Sequence, residues 1–168
     1  MERVNKMEKL KKNLKDLLPY IVIIIAVLSF RTFIATPVKV NGPSMDTTLK
    51  DGEIMILNKL GSIKKGKIVV VDIGNEKIIK RIIAEPGDSI YCKDGNVYVN
   101  DKIIKENYIS TKTGDFVKHF LGKNEYFVMG DNRAVSMDSR SFGVIKKSQI
   151  MGTTKFIILP FGSFGTVD

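Results

Sequence analysis

Residues 41–49 read NGPSMDTTL, with Ser44 directly behind a glycine and a proline. A serine on such a turn can act as a nucleophile if a base removes its proton. Histidine is the usual base, but the chain has one histidine, His119, in the polar stretch VKHFLG, where it reads as a surface residue. A Ser–His–Asp triad is therefore poorly supported. The sequence has no HExxH, no Cys/His ligand set and no glycine-rich phosphate loop. That leaves metal hydrolysis and phosphoryl transfer without residues, and no metal or cofactor is expected.

A lysine can also activate a serine, provided its amine is neutral. The ordinary lysine pKa is about 10.4, so the site must lower it by burial in apolar surroundings. In KIIKRIIAEPGD (77–88), Lys80 lies between Ile78–Ile79 and Ile82–Ile83. The local pattern alone favours a solvent-facing lysine on a half-exposed strand over a base. Arg81 must point to the other face of that strand. A third stretch, GDNRAVSMDSRSFG (130–143), holds two aspartates, two arginines and three serines. It is either a polar network or a long solvated loop. Its place after the apolar run EYFVM is one where site residues are commonly positioned.

The elements around these stretches follow from hydropathy. Residues 17–30, LLPYIVIIIAVLSF, carry no charge, and the apolar run continues to Ala35 past Arg31. A spanning helix needs roughly 20 residues. Arg31 near one end can snorkel to the headgroups, and Pro19 is expected in the first helical turn. The following ATPVKV offers no convincing cleavage site, so the run reads as a retained anchor rather than a cleaved signal peptide. The formal net charge is +9, and residues 1–16 hold six basic groups against three acidic ones. Spacing of Val4, Met7, Leu10 and Leu14 allows a leader helix, but a frayed leader touching anionic lipid is favoured. The positive-inside rule keeps residues 1–16 in the cytoplasm, 17–35 in the cell membrane, and 36–168 on the extracytoplasmic face. No recognition helix, RNP-like pattern or zinc-finger spacing is present, so nucleic acid is not an expected partner. The lone Cys92 reads as an apolar filler in a strand.

From Pro37 onward the texture is β. Strands are expected at 53–58, 67–73, 77–84, 89–92, 96–100, 125–129 and 153–159, separated by turns such as KDGE, KKGK, EPGD and MGDN. Residues 101–123 are expected to leave the sheet as a polar excursion, and 141–150 to hold a helical turn. The predicted fold is all-β, mainly antiparallel and barrel-like, with one N-terminal transmembrane helix.

Taken together, the three stretches resemble the bacterial type I signal peptidases, in their compact single-anchor form. That family's first box is serine, methionine, x, proline, threonine, leucine; SMDTTL places Ser44 at the nucleophile and Met45 at the methionine. Its second box, Lys-Arg followed by a short apolar stretch and Pro-Gly-Asp, is matched by KRIIAEPGD and implies Lys80 as general base. Its third box is matched throughout by GDNRAVSMDSR. It implies Ser136 as a hydrogen-bond partner of the lysine, with Asp138 and Arg140 as a supporting ion pair. Thr47 stands where the family has proline, a departure expected to loosen the turn after Met45 without touching the chemistry. Gly42 stands where some members carry an oxyanion-hole serine, so the implied hole is the Ser44 N–H plus a backbone donor near Gly42.

The resemblance implies a membrane-bound endopeptidase that removes signal peptides from exported preproteins, cutting after small-x-small sites. Ser44 follows Ala35 by nine residues, so the chain can carry it at most about 30 Å from the bilayer. Two other readings are a self-cleaving repressor-type Ser–Lys protease and a membrane-tethered β domain without activity. The first would carry a DNA-binding helical domain in place of the membrane anchor, and the anchor and the GDNR box count against it. Nothing in the sequence indicates an oligomeric state.

Overall fold

The computed structural model describes the backbone of residues 2–167 and the side chains of residues 13–167. It divides into two compact units, Met1–Thr36 and Pro37–Asp168.

The first unit is built on helix α1 (Glu2–Phe33). Asn13–Phe33, 21 residues with a mean hydropathy of 1.8, is long and apolar enough to cross a membrane. Pro19 lies inside α1 rather than in its first turn, because the helix continues through the basic leader to Glu2. Its ring leaves the Lys15 carbonyl without the usual helical donor. The leader is thus helical in backbone rather than frayed, while the side chains of Val4, Met7 and Leu10 lie outside the described residues.

The second unit is almost entirely antiparallel β. Its larger sheet is formed by β1 (Ala35–Lys39), β2 (Ile54–Asn58), β3 (Ile68–Asp72), β4 (Lys77–Ala84), β9 (Glu125–Met129), β10 (Ile145–Lys146) and β11 (Ile150–Leu159). These run in the order β1-β2-β11-β3-β4-β9-β10, and β12 (Gly165–Thr166) adds to β11. The smaller sheet, in the order β7-β6-β5-β8, comprises β5 (Ser89–Lys93), β6 (Asn96–Val99), β7 (Lys102–Ile103) and β8 (Phe116–Phe120). Residues 101–123 therefore do not leave the sheet as a whole: they supply β7 and β8. A short helix, α2 (Ser139–Phe142), is capped by the Asp138 side chain.

Alternation along β4 and β9 divides the core. Ile82 and Val128 join Val69, Val71, Tyr126 and Ile145 in one cluster. Ile83, Phe127 and Met129 join Ile90, Cys92, Val97 and Val99 from the smaller sheet in another. Cys92 is thus core filler, as expected. His119 on β8 packs near the rings of Phe116 and Phe127.

Candidate active site

Ser44 sits at the start of a tight turn closed by Asp46 N–H donating to the Pro43 carbonyl at 2.9 Å and Leu49 N–H donating to the Met45 carbonyl at 2.8 Å. Met45 and Leu49 are 1% and 0% exposed and sink into a cluster with Val40, Met55, Ile68 and Ile157. The apolar residues of the turn hold it down, and the serine is left to face β4. Lys80 on β4 meets it there: Nζ lies 2.7 Å from Ser44 Oγ.

Lys80 is 3% exposed and forms no ion pair among the described residues. Burial holds its pKa below the ordinary lysine value. Asp138, Glu76 and Asp131 act in the opposite direction at longer range, and Arg140 acts with burial. Burial outweighs the carboxylates, which is the condition a lysine must meet to act as a base.

The third box grips the Ser44 backbone. Asn132 N–H donates to the Ser44 carbonyl at 3.1 Å. Gly130 packs so close that a Cβ there would overlap Ser44 O and Ser136 Oγ. Gly130 is fixed in turn from both of its polar groups: its N–H donates to Asp138 Oδ2 and its carbonyl accepts from Arg133 Nε, each at 3.0 Å. Arg140 pairs with Asp138 at 2.8 Å and donates to the carbonyls of Arg133 and Ser136. Burial tends to raise the Asp138 pKa, but Arg140 and the Gly130 N–H outweigh it and keep the carboxylate below its ordinary value.

A second arginine–aspartate pair was not foreseen. Arg81, next to the lysine, sends Nε and Nη2 to the two oxygens of Asp131 at 2.9 and 2.7 Å, and both residues are buried. Thr48 Oγ1 also donates to Asp131, so the turn after Ser44, β4 and the third box share one carboxylate. The residues are 50 apart in sequence. The only signal in the sequence was the inference that Arg81 faces away from Lys80.

Three expectations need correction. Ser136 makes no hydrogen bond to Lys80. Its Oγ is buried without a well-formed partner, near enough to Asp138 to act on it electrostatically. Gly42 does not offer a free donor, because its N–H is taken by Asp51 Oδ1 at 2.7 Å. Ser44 N–H, by contrast, donates to no acceptor among the described residues. Thr47 does not loosen the turn. Its φ is +94°, a value closed to proline, and its Oγ1 donates to the Tyr108 carbonyl at 2.7 Å.

Ser44 and Lys80 open onto a cleft of about 460 Å³ whose lining includes Val40, Met45 and Ile79. Such a cleft, with a serine against a buried amine whose pKa is lowered, can bind an extended chain and attack a carbonyl in it.

Comparison with known proteins agrees. Residues 14–159 match the family model described as signal peptidase, peptidase S26, a span that includes all three boxes. The chain belongs to the signal peptidase family. It is 39% identical over 167 residues to signal peptidase I of Bacillus licheniformis, covering 88% of this chain and 89% of that one. It is 38% identical over 156 residues to signal peptidase IB of Staphylococcus aureus strain N315, covering 79% and 82%. A crystal structure of a signal peptidase I from Enterococcus faecalis V583 has a TM-score of 0.51 at 26% identity, covering 55% of this chain and 96% of that one. The all-β reading with one apolar N-terminal helix matches the signal peptidase fold. This chain is a serine peptidase of that family.

Proposed function

We propose that this protein is a membrane-anchored endopeptidase that removes N-terminal signal peptides from exported preproteins, with Ser44 as nucleophile and Lys80 as general base. The observation that carries the proposal is the 2.7 Å approach of a buried, pKa-lowered Lys80 amine to Ser44 Oγ. Neutral Lys80 takes the Ser44 proton as Oγ bonds to the scissile carbonyl carbon. The tetrahedral intermediate collapses, the C–N bond breaks, and Lys80 returns the proton to the leaving amine. Water, deprotonated by the same amine, then hydrolyses the acyl-enzyme. Ser44 N–H is the donor assigned to the oxyanion; losing one such donor typically costs about 3–4 kcal/mol. Asp138 and Arg140 hold the loop that carries Ser136 and Gly130, and Met45 seats the turn.

Residues 17–35 serve as the anchor, residues 1–16 stay in the cytoplasm, and residues 36–168 work on the extracytoplasmic face of the cell membrane. The lysine-rich leader and the Asn13–Phe33 apolar segment support this orientation. A signal peptide is itself held in the bilayer, so anchoring the enzyme raises the effective concentration of each cleavage site. The substrate lies extended in the cleft bordered by residues 39–41 and 75–80. A tethered binding domain without activity is disfavoured, because burying an amine without an ion-pair partner is unfavourable and would serve no purpose there.

The test is cleavage of a preprotein with an Ala-x-Ala site by the full chain in liposomes. A single cut after the second alanine is expected, abolished when either alanine becomes Phe. Cleavage indifferent to those changes would refute the proposed specificity.

A further inference from the structure

Residues 104–115 join β7 to β8 and hold no helix or strand of their own. Irregular loops of about 12 residues or more are uncommon in compact domains, and an ordered one usually has a function. This loop is tied at both ends to the smaller sheet. Ile104 N–H donates to the Val97 carbonyl at 3.0 Å, and the Asp115 carboxylate accepts from the N–H groups of Asp94 and Gly95. Its middle reaches residues of all three boxes.

Glu106 meets the third box. Its carboxylate takes both ends of the Arg133 guanidinium, with Nη1 on Oε2 at 3.0 Å and Nη2 on Oε1. The two side chains are 6% and 0% exposed. Thr113 Oγ1 also accepts from Arg133 Nη1. A bidentate pair fixes the plane of the guanidinium as well as its position. Arg133 Nε is thereby aimed at the carbonyl of Gly130, the residue packed against the Ser44 backbone.

Tyr108 meets the other two boxes. Its carbonyl accepts from Thr47 Oγ1 at 2.7 Å, and its ring lies against the Arg81 guanidinium, 4.2 Å from Cζ to the centroid. Its hydroxyl donates to Glu106 Oε1 at 2.8 Å, so the two residues act as one unit. Thr47 shows what the unit holds. A β-branched residue at a φ of +94° is strained, and such a conformation persists only where its surroundings hold it. The holders here are Asp46 Oδ1 on the Thr47 N–H at 2.8 Å and the Tyr108 carbonyl on its hydroxyl.

We propose that Glu106 and Tyr108 are positioning residues for the reaction. Together they hold the Ser44 turn, β4 and the third box in register, and so set Ser44 Oγ against Lys80 Nζ. The proposal rests on the Ser44–Lys80 reading and adds two residues that lie outside the reacting pair.

The test is cleavage of an Ala-x-Ala preprotein by the full chain in liposomes, with kcat and KM separated and each variant's folding followed by denaturant melts. Glu106→Gln takes the carboxylate from Arg133 and is expected to lower kcat about 100-fold, as a 1 Å misplacement does, with little change in KM. Tyr108→Phe and Thr47→Val each remove one hydrogen bond and are expected to lower kcat about fivefold. Thr47→Ser keeps the hydroxyl and restores most of that loss. A merely structural loop would shift the melts and leave kcat per folded molecule at the wild-type value. Wild-type kcat in folded Glu106→Gln, or in both Tyr108→Phe and Thr47→Val, overturns the proposal, and so does a loss carried in KM. Where Glu106→Gln does not fold, the two milder variants decide. Ser44→Ala, run alongside, separates the two claims. Its inactivity, with full kcat in the milder variants, overturns the positioning role alone; its activity overturns the Ser44–Lys80 reading and this proposal with it.

Discussion

Gly130 and Ser44 touch through their backbones: no side chain fits at 130 without displacing the Ser44 carbonyl or the Ser136 hydroxyl. The contact makes the glycine of the third box a positioning element for Ser44. Gly130→Ala is expected to lower kcat by about 100-fold, the typical effect of a 1 Å misplacement, with a smaller change in KM. Single-turnover cleavage would measure it, and a variant with unchanged kcat would show that Ser44 tolerates the shift.

Lys80 also sets the pH dependence. Its folded-state pKa lies below the unfolded value, so between the two the unfolded chain binds the extra proton. Stability from this group therefore rises with pH across that window, and the penalty is fully present below it. Lys80→Met is expected to be more stable than wild type at neutral pH, with the advantage fading as pH approaches the ordinary lysine value of 10.5. Denaturant melts at several pH values would measure the difference. Activity should rise as Lys80 loses its proton and hold on the alkaline side. Glu76→Gln removes a carboxylate that raises the Lys80 pKa and should move the acidic limb to lower pH.

The Arg81–Asp131 pair is a stability element. Asp131→Leu leaves a buried guanidinium without its carboxylate and is expected to cost about 3–5 kcal/mol. Arg81→Met with Asp131→Leu should recover much of that loss, because neither charge then remains buried alone. Chemical denaturation of the single and double variants would measure the coupling; strict additivity would contradict it.

Ser136 allows a cleaner separation of stability from catalysis. Its hydroxyl has no well-formed partner in the resting site, so Ser136→Ala is expected to leave stability within about 1 kcal/mol of wild type. Ser136→Ala is nevertheless expected to lower kcat by at least about tenfold, through loss of a hydrogen bond to Lys80 made during turnover. Unchanged kcat would remove Ser136 from the site's working parts.

What the sequence made legible follows from which signals are local. β4 and β9 begin and end where their apolar runs do, at 77–84 and 125–129, because both strands are buried along most of their length. β8 was missed because Val117, Lys118 and Phe120 are exposed on an edge strand, so the run FVKHF shows no buried face by composition. Ser44, Lys80 and the Asp138–Arg140 pair could be named from their boxes, and the fold brings them together. The local pattern around Lys80 had favoured solvent; its burial depends on the 43–49 turn packing from elsewhere in the chain. The Arg81–Asp131 pair and the capture of Gly42 N–H by Asp51 arise from long-range register, which no local pattern encodes. Pro19 was misplaced because an apolar run marks a membrane segment, not the start of the helix that contains it.

The central claim is that one hydroxyl and one amine carry the hydrolysis. The most direct measurement is cleavage of an Ala-x-Ala preprotein in liposomes by wild type, Ser44→Ala and Lys80→Met, each first shown to be folded. A single cut by wild type is expected, and none above background by either variant. Cleavage that survives Lys80→Met, at any pH, would contradict it.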